Sequence, residues 1–68
     1  MASGTIVRLM SDKGFGFISD EGGVEHFFHQ SALRDAVFAS LREGQRVEFT
    51  TEESTKGPRA GEVRVLES

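Results

Sequence analysis

The sequence contains no cysteine, no tryptophan and no tyrosine, and it has a single proline in 68 residues. Without cysteine the chain has no disulfide, no thiol nucleophile and no cysteine-based metal site. No apolar run approaches the length of a membrane span, and residues 1–4 lack the basic and apolar regions of a signal peptide. We therefore expect a cytoplasmic chain that does not associate with membranes.

The sequence also lacks the patterns of an enzyme. No motif places a nucleophile beside a base, and no glycine-rich loop opens a helix. His26 and His29 are three residues apart, which on a β-strand puts them on opposite faces, so that they cannot share a metal ion. We expect no catalytic activity, no metal and no cofactor. For His26 the sequence favours a partly buried, hydrogen-bonded histidine without a function of its own.

Length and charge restrict the remaining classes. The chain is expected to be one domain, residues 1–68, and a domain of this size buries only about 60% of its unfolded surface. Its net charge of −3, from 11 acidic and 8 basic residues, argues against a binder held by phosphate neutralisation alone. It does not exclude a binder of single strands, because stacking one base on an aromatic ring contributes about 1–3 kcal/mol.

The most informative stretch, residues 13–18, reads K-G-F-G-F-I. On a strand Phe15 and Phe17 point to one face, while Ile18 points to the other, which a core would occupy. Exposed phenylalanines favour a flat stacking partner, and nucleobases are the commonest one. A phenylalanine pair at this spacing is, taken alone, more often the buried face of an amphipathic strand.

The surroundings of the pair favour the exposed alternative. Lys13 precedes it, and a second aromatic cluster, F-F-H, follows at residues 27–29. A basic residue beside aromatic residues at this spacing is typical of strands that bind RNA. We expect Gly14 and Gly16 to leave the backbone bare between the rings, so that a flat partner can approach closely.

Short β-rich segments separated by turns predict an all-β domain. Strands are expected over residues 4–10, 15–19, 24–29, 46–51 and 62–66. A short helical turn near Ser31 is expected between the third and fourth strands, and a loop over residues 52–59. Five short strands without a long helix enclose a core only by closing on themselves. The pattern therefore predicts a five-stranded antiparallel OB-fold barrel.

Alternation along these strands predicts which side chains point inward. Val47 and Phe49 on the fourth strand and Val63 and Val65 on the last are expected to face the core. We also expect Phe28 in the core. For Phe38, in the irregular segment after the third strand, an exposed stacking residue and a packed loop anchor are equally supported.

The order of these motifs resembles that of bacterial cold-shock domains over essentially the whole chain. K-G-F-G-F-I resembles the family's first RNA-binding motif, and F-F-H with the following S-A-L resembles its second. Residues 41–47 and 56–60 resemble its central linker and its last loop. The resemblance implies an OB barrel that binds single-stranded RNA or DNA by stacking bases on an aromatic sheet face.

The resemblance also implies roles for individual residues. The stacking residues would be Phe15, Phe17, Phe27 and His29, with a further stack on Phe38. Phosphates or base edges would be contacted by Lys13 and, more loosely, by Lys56 and Arg59.

The first strand departs from the family pattern. Where the family usually has Lys-Trp-Phe-Asn, this chain reads V-R-L-M, so that Arg8 replaces the tryptophan and Leu9 a phenylalanine. Gln30 stands where another aromatic residue is common. Arg8 recovers part of the loss by guanidinium stacking or a phosphate contact, and Gln30 by a hydrogen bond to a base edge. We expect weaker binding than the family norm, or a shifted base preference.

The sequence thus predicts a binder of single-stranded nucleic acid that acts as an RNA chaperone or a regulator of gene expression. The alternative is a protein-interaction or dimerisation module that kept the barrel and lost most of its affinity for nucleic acid. Acidic net charge and the substitutions at Arg8 and Gln30 favour this alternative slightly. We expect a monomer, with a homodimer through the phenylalanine face as the other possibility.

Overall fold

Strands and two short 3₁₀ turns make up the fold of the computed structural model, which describes residues 2–34, 37–55 and 57–66, with only the backbone at 53 and 54. The strands are β1 (Ala2–Met10), β2 (Phe15–Asp20), β3 (Glu25–His29), β4 (Leu33–Arg34), β5 (Arg46–Ser54) and β6 (Gly57–Val65). The 3₁₀ turns span Gln30–Ala32 and Phe38–Ser40. Both lie between β3 and β5, where the sequence predicts a short helical turn.

One sheet runs in the order β3-β2-β1-β5-β6-β4, and an additional pairing of β3 with β6 closes it into a barrel. The long ladders are antiparallel, whereas β6 pairs in parallel with β3, through Phe27 and Arg59, and with β4. The predicted five-stranded barrel is therefore confirmed. The two-residue strand β4 is added at the edge of β6.

A β-bulge in β1 decides which residues of this strand face outward. Its register against β2 shifts between Ile6 and Arg8, so that Val7 is the extra residue and is 43% exposed. Before the bulge, Ile6 pairs with Ile18 and both are buried. After it, Arg8 pairs with Phe17 on the outer face. A bulge reverses the alternation of a strand, and here it moves Arg8 out of the core.

The barrel interior is filled by apolar side chains from every long strand. Its buried members are Ile6, Ile18, Phe28, Ala32, Leu41, Val47, Phe49, Ala60 and Val63. Phe28 and Phe49 are its largest fully buried side chains, as alternation and packing predict. Val65 is half-buried and packs against this core. The chain therefore builds its core without a disulfide.

In the segment predicted as a loop, residues 52–59, the described residues 52–54 and 57–59 instead belong to the paired strands β5 and β6. Ladder pairs continue from Thr51 and Ala60 to Ser54 and Gly57. Gly57 has a φ of 114°, a conformation that favours glycine and suits the end of a hairpin. The prediction is wrong because a proline so close to the end of a strand does not stop the ladder.

The short helical turn predicted near Ser31 is the 3₁₀ turn Gln30–Ala32, capped by His29, whose side chain accepts a hydrogen bond from the Ser31 N–H. One local prediction is corrected. Gly14 and Gly16 are buried, so that they do not open the backbone to a partner. A Cβ on Gly16 would lie 2.6 Å from the carbonyl oxygen of Arg8 and 2.9 Å from the Phe28 ring. Gly16 is therefore required by interior packing.

No helix in the described part of the chain is long and apolar enough to cross a membrane.

Candidate nucleic-acid interface

The outer face of β1, β2 and β3 carries two rows of side chains that cross the strands. One row consists of Arg8, Phe17 and Phe27, and the other of Met10, Phe15 and His29. Arg59 on β6 pairs with Phe27 and extends the first row past the barrel closure. We call the set Phe15, Phe17, Phe27 and His29 the aromatic platform. The structure thus brings all four predicted stacking residues of β2 and β3 onto one surface.

The three phenylalanine rings of the platform contact one another. The centroids of Phe15 and Phe27 are 5.3 Å apart, those of Phe17 and Phe27 6.0 Å, and those of Phe15 and Phe17 6.1 Å. The two longer contacts are edge-to-face, which is a favoured geometry for aromatic pairs. All three side chains are half-buried, whereas Phe28 between two outward residues is fully buried. The rings support each other and still present apolar surface to a partner.

His29 is held in one orientation by the turn that follows it. Its Nδ1 lies 3.2 Å from the Ser31 backbone nitrogen, which donates to it, and 3.0 Å from the Ser31 hydroxyl. A backbone N–H can only donate, so Nδ1 is the acceptor and the proton of the neutral ring resides on Nε2. The platform therefore ends in an oriented imidazole with an N–H donor.

Three predicted cations surround the platform. Arg8 and Arg59 stand at opposite ends of the first row, and Lys13 lies in the turn between β1 and β2. All three are exposed, and none of their side chains makes an ion pair or hydrogen bond with the residues that the structure describes. Their charges are therefore available to a ligand. Lys56 lies outside the described residues.

Gln30 connects the end of β3 to the turn before β2. Its backbone N–H donates to the Gly14 carbonyl oxygen at 2.8 Å. The Gln30 amide nitrogen lies 3.0 Å from where a Cβ on Gly14 would be, so its side chain covers this turn. Gln30 remains exposed at the margin of the platform, next to His29.

Phe38 is placed differently from the other predicted stacking residues. Its side chain is half-buried and packs against the core, with its ring centroid 6.1 Å from that of Phe28. Among the described ring contacts it makes none with the platform rings. Phe38 thus packs against the core with part of its ring. A stacking role for Phe38 stays a prediction.

A second polar constellation, which the sequence did not indicate, lies at the turn between β2 and β3. Asp20 Oδ1 accepts hydrogen bonds from the backbone N–H groups of Gly22 and Val24, each at 2.9 Å. Its Oδ2 lies 2.8 Å from His26 Nε2. The hydrogen bond from His26, aided by the Val24 N–H, lowers the pKa of Asp20 below its usual value of 3.8. The D-E-G-G segment is typical of a turn, but it does not indicate the contact of Asp20 with His26.

His26 is buried as the sequence predicts, and its hydrogen-bond partner is Asp20. The residue is only 6% exposed, and its ring centroid lies 4.9 Å from that of Phe49. Its Nδ1 is buried without a hydrogen-bond partner. Within residues 2–34, 37–55 and 57–66, no group of three or more histidine, cysteine or acidic side chains is arranged to hold a metal ion. The pair therefore ties the turn to the core.

Comparison with known proteins gives a consistent result. The family model of the 'Cold-shock' DNA-binding domain matches residues 2–66. The chain is 46% identical over 66 residues to the major cold shock protein of Streptococcus pyogenes serotype M6, covering 97% of this chain and 98% of that protein. It is 47% identical over 66 residues to the cold shock-like protein CspLB of Listeria monocytogenes, covering 97% of this chain and 100% of that one.

A solved structure shows the same architecture. The structure of Drosophila Unr CSD456 superposes with a TM-score of 0.74 at 29% sequence identity. The match covers 97% of this chain and 26% of that longer chain. This chain therefore shares its overall fold with part of that longer chain.

Proposed function

Because this chain belongs to the cold-shock domain family, whose members bind nucleic acid and are not enzymes, we propose that it binds single-stranded RNA or DNA. In this proposal unpaired bases stack on the aromatic platform. The observation that carries it is the mutual contact of Phe15, Phe17 and Phe27, with centroids 5.3 to 6.1 Å apart, on the outer face of the barrel.

The platform is suited to unpaired bases and not to the paired bases of a duplex. Stacking requires access to the face of a base, which only an unpaired strand offers. Rings on adjacent strands accept successive bases, and each stacked base contributes about 1–3 kcal/mol. Since every base has a π-face, stacking alone gives little sequence preference.

The cations around the platform support contacts with the phosphates. Arg8, Lys13 and Arg59 are exposed and without partners among the described side chains. Each phosphate neutralised on a single strand adds about 0.7 to the slope of log affinity against log salt. With few such contacts and a net charge of −3, the salt dependence of binding should be shallow.

Binding of this kind acts on RNA structure by mass action. A protein that binds only the unpaired strand stabilises the open form of a hairpin, and no ATP is consumed. We therefore propose that the chain acts as an RNA chaperone or as a regulator of gene expression. We expect Arg8 and Gln30, at positions where the family usually has rings, to weaken binding relative to the family norm or to shift the base preference.

A hairpin RNA labelled with a fluorophore and a quencher tests this proposal. The stem should melt just above the temperature of the measurement, so that modest affinity suffices to shift the equilibrium. Addition of the protein should raise the fluorescence without ATP, and Phe17→Ala should raise it less at equal concentration. Unchanged fluorescence at saturating protein would contradict the chaperone role.

We propose that the active form is a monomer, because the bases need the platform to be uncovered. Sedimentation over a range of protein concentrations separates this from pairing through the phenylalanine face. A constant monomer mass on dilution is expected. A dimer that Phe17→Ala dissociates would instead support the dimerisation module.

A further inference from the structure

Arg8 occupies a defined place at the edge of the aromatic platform. The bulge at Val7 turns Arg8 to the outer face, directly opposite Phe17 in the ladder. Side chains in such directly opposed pairs have Cβ atoms about 4.5–5.5 Å apart. Phe27 flanks Phe17 on its other side. A base stacked on Phe17 therefore has a phenylalanine on one side and a guanidinium on the other.

The guanidinium is available to a base. Arg8 is exposed, and its side chain makes no ion pair or hydrogen bond with any residue that the structure describes. The outward row on one side of Arg8 carries Met10, Phe15 and His29, and the row on the other side carries Thr5, Ser19 and Glu25. No ion pair joins Glu25 to Arg8. An unpaired hydrogen-bond donor directly opposite Phe17, at the rim of the stacking surface, is placed to contact the edge of a base.

The chemistry of this donor distinguishes the bases. A guanidinium has five N–H donors in a fixed fork and no acceptor, so it pairs best with two adjacent acceptors. Guanine offers O6 and N7 side by side, whereas adenine places an amino donor beside N7. Uracil and thymine have an N–H between their carbonyl groups. Cytosine has adjacent acceptors at N3 and O2, but its single ring stacks over a smaller area.

We infer that Arg8 makes the position over Phe17 selective for guanine, so that the preferred ligand is a single strand with a guanine at this position. The inference rests on the proposed function, and it deepens that function by naming the base. An aromatic residue at position 8, as the family usually has, stacks on any base. Arginine instead distinguishes the bases by the hydrogen-bond acceptors on their edges.

Labelled heptathymidylates that carry a single guanine, adenine or cytosine at each position in turn test the inference. At one position guanine should tighten binding about fivefold or more over thymine, the lower end of the discrimination that a bidentate Arg–guanine pair gives. Inosine, which keeps O6 and N7, should retain the gain. The analogue 7-deazaguanine, which lacks N7, should lose it.

Two variants assign the preference to Arg8. In Arg8→Gln the guanine preference should be lost and adenine favoured at the same position, because an amide pairs with adenine N6 and N7. Arg64→Gln is the matched control. Arg64 is exposed on the outer face of the barrel, opposite Glu48 in the ladder between β5 and β6. This substitution removes the same charge and should leave the base preference unchanged.

The outcomes separate the two proposals. Binding of all heptamers with equal affinity would overturn the inference alone, as would a guanine preference that persists in Arg8→Gln or with 7-deazaguanine. Failure of every heptamer to bind would overturn the proposed function and the inference with it.

Discussion

Phe17 and Phe27 lie directly opposite each other on β2 and β3, with ring centroids 6.0 Å apart and ring planes at 72°. Both are half-buried on the outer face, whereas Phe28, the next residue along β3, is fully buried inside the barrel. One strand thus supplies a ring to the platform and a ring to the core. Mutation of a platform phenylalanine should therefore weaken binding, whereas mutation of a core phenylalanine should destabilise the fold.

Phe17→Ala should weaken binding of a single strand by about 1–3 kcal/mol, because it removes one stacking surface, and should leave the barrel folded. Phe28→Ala removes a fully buried ring and should destabilise the fold by about 3–5 kcal/mol. Thermal unfolding followed by far-UV circular dichroism, with anisotropy titrations beside it, separates the two effects. An unfolded Phe17→Ala variant would show that this ring belongs to the core.

Lys13→Gln should lower the salt dependence of binding, because it removes a phosphate contact and leaves the stacking rings in place. Lys13 is exposed in the turn before β2, and its side chain is unpaired among the described residues. Loss of one phosphate contact should lower the slope of log affinity against log salt by about 0.7. Phe17→Ala serves as the comparison and should leave the slope unchanged. Equal slopes for wild type and Lys13→Gln would remove this residue from the phosphate contacts.

Gly16→Ala should destabilise the barrel by about 1–3 kcal/mol, the usual cost of overpacking a tight interior. The added Cβ would lie 2.6 Å from the Arg8 carbonyl oxygen, a backbone atom that cannot move aside without disturbing β1. Gly22→Ala is the matched control, since its Cβ would approach only Asp20 Oδ1, at 3.4 Å. Urea unfolding measures both. Equal stability of the two variants would contradict the close packing of β1 on β2.

Asp20→Asn should make the stability of the fold less dependent on pH in the acid range. The pKa of Asp20 is lowered in the folded state, first by the hydrogen bond with His26, so ionised Asp20 stabilises the fold above its unfolded pKa near 3.8. This contribution is lost as the pH falls through the still lower folded pKa. Wild type should exceed Asp20→Asn in stability at neutral pH, and the difference should shrink below pH 3.8.

Urea midpoints by circular dichroism from neutral to strongly acid pH give this comparison. Asp12→Asn is the control, because Asp12 is exposed in the turn between β1 and β2 and no side-chain hydrogen bond or ion pair joins it to the described residues. Its curve should run parallel to that of wild type. A parallel curve for Asp20→Asn as well would show that its contact with His26 does not stabilise the fold.

Period-two alternation was sufficient to predict much of the core and the platform. Val47 and Phe49 alternate with polar residues and are buried, and Phe15 and Phe17 share the outer face as their spacing predicts. These inferences depend on the local geometry of one strand. Closure into a barrel follows instead from the number of short strands and the lack of a long helix, and the family resemblance implies the same fold.

What the sequence did not predict depends on pairing between segments. The bulge at Val7 follows from the register of β1 against β2, and nothing in V-R-L-M indicates an extra residue. The hairpin through Pro58 forms because β5 and β6 continue their ladder to Ser54 and Gly57. The local sequence around Gly16 predicts an opening for a ligand, because it does not show that the Phe28 ring lies behind this glycine.

Binding of unpaired bases to the platform is tested most directly by fluorescence anisotropy of a labelled oligo-U and oligo-dT heptamer. A labelled ligand is needed because the chain has no tryptophan or tyrosine. The protein should bind both strands at micromolar concentration or tighter, with a shallow dependence on salt, and should bind a duplex of the same length less well. No binding to either single strand at high protein concentration, or equal binding to the duplex, would contradict the account.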